Sequence, residues 1–97
     1  MIESKAIPDD LVAKAEAAGR FVGLSFCGES EAELAQALDE LAEVNFRSQL
    51  PRLNEILTLD GPAAVESTVN DVVALSRIIR RTALARWNEL HNQRNVR

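Results

Sequence analysis

A chain of 97 residues has material for one hydrophobic core and no second, and 46% hydrophobic with 27% charged residues is the balance of a folded soluble domain. Aromatic residues are only 4% and tyrosine is absent, which disfavours a β-sandwich and points to an all-α chain. A net charge of −4 argues against non-specific nucleic-acid binding, and a single cysteine, Cys27, leaves no internal disulfide possible. No apolar run approaches the roughly 18 residues of a membrane span, and Asp9 and Asp10 interrupt the N-terminal segment where a signal peptide would be apolar. The expectation is a cytoplasmic protein without a membrane segment.

The first helix is expected over about 8–27. Pro8 suits a first turn, and Asp9 and Asp10 complement the positive helix end. Leu11, Ala15, Ala18, Val22 and Phe26 recur every three or four residues, so helical spacing runs through the strand-like fragment FVGLSF, for which an extended form is the alternative. Asp10 with Lys14 and Glu16 with Arg20 are spaced for i,i+4 ion pairs.

Gly28 fits a left-handed helix end, and Ser30 with Glu33 forms an S-x-x-E capping box, a stop followed at once by a start. The link is so short that an antiparallel αα-hairpin is expected. The second helix, about 31–50, gathers Leu34, Leu38, Leu41 and Asn45 on one face and Glu33, Asp39, Glu40 and Glu43 on the other. Pro51 restarts or kinks the chain, giving a short third helix over about 51–59 with Leu53, Ile56 and Leu57 inward. LDGP is a clear break, where Asp60 can cap the next helix and Pro62 sits in its first turn. The last helix is expected over about 62–92, carried by the stripe Val65, Val69, Val72, Ser76, Ile79, Ala83, Trp87 and Leu90, with the tail 93–97 frayed. It should overhang the hairpin by about 10 residues, ~15 Å at 1.5 Å per residue.

Charge is asymmetric: residues 1–66 hold 5 basic and 13 acidic residues, and residues 67–97 hold 6 and 2. Four arginines and the only tryptophan fall in SRIIRRTALARWNEL, residues 76–90. On a helical wheel Arg77 and Arg81 face water, while Arg80 and Arg86 lie on opposite borders of the apolar stripe. That dispersion argues against a phosphate-tracking face. A helix-turn-helix reading fails because the would-be recognition helix opens GPAAVESTVND, with acids where phosphates approach.

No catalytic, metal-binding or phosphate-loop motif is present. Cys27 stands at a helix C-terminus, where the helix dipole disfavours a thiolate, and His91 has no partner that the spacing can assign. No cofactor, metal or small-molecule ligand is expected.

Leu75 and Ile78 widen the apolar surface of the last helix on one flank and Leu84 on the other, beyond what a single hairpin covers. The expected function is a non-catalytic protein–protein interaction module: an adaptor, a small subunit or an inhibitor of a larger complex. It would dock through Leu75, Ile78 and Leu84 with Arg77, Arg81 and Trp87 at the rim, the partner being another protein or, most simply, a second copy in a homodimer. The alternative is a nucleic-acid-associated protein using the basic final third, or an acidic antagonist of nucleic-acid binders.

Overall fold

The computed structural model describes residues 7–95, which form four α-helices and no strand: α1 (Asp9–Ser25), α2 (Glu31–Ser48), α3 (Leu50–Asp60) and α4 (Pro62–Asn95). The all-α expectation is met, and FVGLSF is helical as far as Ser25. α4 continues to Asn95, past the expected fraying point at residue 93; residues 96 and 97 lie outside the described part.

The helix signals act as chemistry requires at some ends and not at others. At α2 the backbone N–H of Glu33 donates to Ser30 Oγ at 3.2 Å, and the N–H of Ser30 donates to Glu33 Oε1 at 3.1 Å, a complete capping box. Gly28, by contrast, does not take the left-handed conformation. α1 ends through tight turns, Cys27 N–H to the Leu24 carbonyl and Glu29 N–H to the Phe26 carbonyl, which need no positive φ. Among the described residues only Gly61 has one, +92°, and its N–H closes α3 onto the Ile56 and Leu57 carbonyls. Gln49 alone separates α2 from α3, and Pro51 sits in the first turn of α3, where its missing N–H removes no helical hydrogen bond. The Asp10–Lys14 and Glu16–Arg20 ion pairs do not form; these are exposed or half-exposed groups, for which such a pair is worth little.

Every other helix rests on α4. The tightest packing is that of α1, through the line of small residues Ala15, Gly19 and Gly23, all buried. A Cβ at Gly19 would stand 2.7 Å from the Ile79 carbonyl oxygen, and one at Gly23 would stand 2.6 Å from that of Ala83. Gly19 beside Ile79 and Gly23 beside Ala83 also makes α1 and α4 parallel. α2 runs antiparallel to α4, as Glu29 beside Trp87 and Asp39 beside Arg80 show. The chain therefore reverses between α1 and α2, but the two meet through α4 more than through each other. α3, joined to α4 by one residue, packs back on it, so the expected overhang is not bare.

The core is small. Leu34, Leu38, Ala83 and Trp87 form its centre, with Val22, Phe26, Ile79 and Leu84 packed against it. The α4 stripe is buried or half-buried throughout, as expected, whereas Leu57, expected inward, is exposed. The radius of gyration is 16.1 Å against about 12.5 Å for a compact chain of this length. The molecule measures 57 × 29 × 17 Å, with α4 as its spine.

Candidate docking cleft

α1 and α2 both lean on α4 yet diverge from one another, which opens a cleft of about 540 Å³ between them. Its floor is Val72, Ser76 and Ile79 of α4, α1 contributes Ala18, and α2 supplies the wall that carries Leu41 and Phe46. α2 buries Leu34 and Leu38, but Leu41 and Phe46, one and two turns further on, remain 40% and 37% exposed, and α1 contributes only Ala18 to the lining beside them. On the α4 side Val73 is likewise 40% exposed. The charged lips are Glu43 on α2 and Arg77 and Arg80 on α4. Neither histidine nor cysteine lines the cleft.

Two of the clustered arginines are engaged at home. Arg80 donates to Asp39 Oδ1 at 2.7 Å, joining α4 to α2, and Arg86 donates to Glu89 Oε1 at 2.7 Å along α4. Arg77 and Arg81 are exposed, one turn apart, and make no ion pair among the described residues. Glu43 pairs with Arg47 at 2.6 Å, but both side chains are mostly in water, where such a pair exchanges partners at little cost.

The residues expected from sequence to form the docking surface are not all brought together. Arg77 lies on the cleft lip, with Arg81 one turn beyond. Leu75 and Ile78 are half-buried and do not line the cleft. Leu84 packs against the core. Trp87 is a core residue, 7% exposed, and not a rim anchor: its Nε1 donates to the Glu29 carbonyl at 3.1 Å and its ring stacks on His91, centroids 4.7 Å apart. The burial of Trp87 follows the apolar stripe of α4, on which it lies, rather than the rim role expected of it. Leu41 was missed as a docking candidate because periodicity puts it on the apolar face of α2, and Phe46 and Val73 because they stand off the apolar stripes of α2 and α4. The Ala15–Gly19–Gly23 spacing was a readable sign of close helix approach.

Among the described residues no group of three or more His, Cys, Asp or Glu could hold a metal ion, and no helix is long and apolar enough to cross a membrane. No known protein family, curated protein or solved structure matches the chain.

Proposed function

We propose that the protein is a non-catalytic protein-interaction module, an adaptor, small subunit or inhibitor, that docks a protein partner over the cleft beside α4. One observation carries this reading: ten large hydrophobic side chains are among the exposed described residues, and three of them surround one cavity. Those at Leu41, Phe46 and Val73 lie around one concavity, the arrangement that marks an interaction site. Phe21 and Leu24 on α1, and Leu57 and Leu59 on α3, are outside it.

Site-specific photocrosslinking in the host cell tests this. A benzophenone side chain in place of Phe46 or of Val73 should give a covalent protein adduct, with this chain or another, that the same label at exposed Glu55 does not give. Absence of any adduct at both cleft positions overturns the reading.

A further inference from the structure

We propose that the occupant of the cleft is a second copy of this chain, in a two-fold pairing in which the Leu41–Phe46 wall of each protomer enters the cleft of the other. This presupposes the docking role proposed above and names its partner.

The exposed apolar lining is the first support. Leu41, Phe46 and Val73 stand 37–40% exposed around the cleft of a chain whose core is small, so a two-fold pairing removes this apolar surface from water on both copies at once.

Charge is the second support, and it selects the partner. The lips carry opposite signs, Glu43 on the α2 side and Arg77 on the α4 side, with Glu40 and Arg81 one turn or less beyond. A partner helix of one sign, acidic or basic, would set like charges against one lip. A partner with both signs flanking an apolar wall fits both lips, and this chain is such a partner. In an isologous contact each Glu43 can face the Arg77 of the other copy, and the match is made twice. Arg77 has no ion-pair partner within its own chain, among the described residues, and the Glu43–Arg47 pair is exposed enough to yield.

Sedimentation equilibrium of the full chain from about 1 to 300 μM tests the proposal, with far-UV circular dichroism and Trp87 fluorescence confirming the fold of each variant. The wild type should sediment as a dimer. Phe46→Glu and Leu41→Glu, at positions already partly in water, should raise the dissociation constant about 100-fold or more. Glu43→Arg and Arg77→Glu should each weaken pairing about tenfold, and the double variant Glu43→Arg/Arg77→Glu should recover most of the loss. A wild-type monomer at 300 μM overturns self-pairing, and if Phe46 still crosslinks to another protein the docking role survives without it. A dimer indifferent to all cleft variants overturns this interface. Recovery absent from the charge-swapped pair overturns the proposed facing of Glu43 and Arg77.

Discussion

The indole Nε1 of Trp87 donates to the backbone carbonyl of Glu29 at 3.1 Å, so that the only tryptophan fastens the link between α1 and α2 to the spine of the molecule. The bond spans 58 positions of sequence and sits beside Leu34 and Ala83 in the core. It satisfies a carbonyl that lies beyond the end of α1 and before the start of α2.

Trp87→Phe keeps an aromatic ring but leaves that carbonyl without its donor and removes part of the core volume. A loss of about 2 kcal/mol is expected, from one hydrogen bond and a reduced packed area. Urea unfolding followed by circular dichroism measures it. Amides of residues 28–30 should exchange faster in the variant, while those of α3 should not.

Gly19→Ala and Gly23→Ala should each destabilise, although alanine in a helix ordinarily gains about 1 kcal/mol over glycine. The added methyl would meet backbone oxygens of α4, at Ile79 and Ala83, and backbone cannot swing aside as a side-chain end can. Separation of α1 from α4 is then forced, and a net cost of about 2 kcal/mol is expected for each. A thermal melt showing either variant more stable than wild type would contradict the close approach.

Ser30→Ala removes the hydroxyl that accepts from the Glu33 N–H and should cost about 1 kcal/mol, read by denaturant unfolding. The same capping box holds the Glu33 carboxyl below the usual carboxylate range, chiefly through the hydrogen bond from the Ser30 backbone N–H and then through the Ser30 hydroxyl. A depressed folded-state pKa means that the charged form is favoured by folding. Its contribution is therefore complete above the unfolded-chain value and is lost as pH falls through the folded one. Carboxyl-carbon NMR should show Glu33 titrating lower in the native protein than in urea, and Ser30→Ala should narrow the difference.

Nucleic acid should bind weakly. Arg80 and Arg86 are engaged by Asp39 and Glu89, which leaves Arg77 and Arg81 of the cluster to meet phosphates, on a chain of net charge −4. Two phosphate contacts give a shallow salt dependence, with a slope of about −2 in log K against log salt. Fluorescence anisotropy with duplex and single-stranded DNA and RNA at low salt checks this. Submicromolar affinity abolished by Arg77→Ala/Arg81→Ala would favour the basic final third as a nucleic-acid surface.

Local chemistry in the sequence was enough to specify the four helices, because their ends are written in short-range terms: Asp9 and Asp10 in a first turn, the Ser30–Glu33 box, Pro51 and Pro62 in first turns, Gly61 at a stop. The α4 stripe from Val65 to Leu90 was legible for the same reason, since 3.6-residue periodicity is a property of one helix. Which helix lies against which is set by long-range fit, and there the tertiary structure decided. The apolar spacing of α1 suggested a face of Leu11, Ala15, Ala18, Val22 and Phe26, of which Ala15 is buried and Val22 and Phe26 pack against the core, but the closest approach to α4 is made through Gly19 and Gly23, where larger side chains would not fit. That choice draws α1 away from the far end of α2. Leu41, on the apolar face of α2 by periodicity, consequently borders an open cleft together with Phe46, while Trp87, on the apolar stripe of α4 but expected at a docking rim, is sealed inside the core.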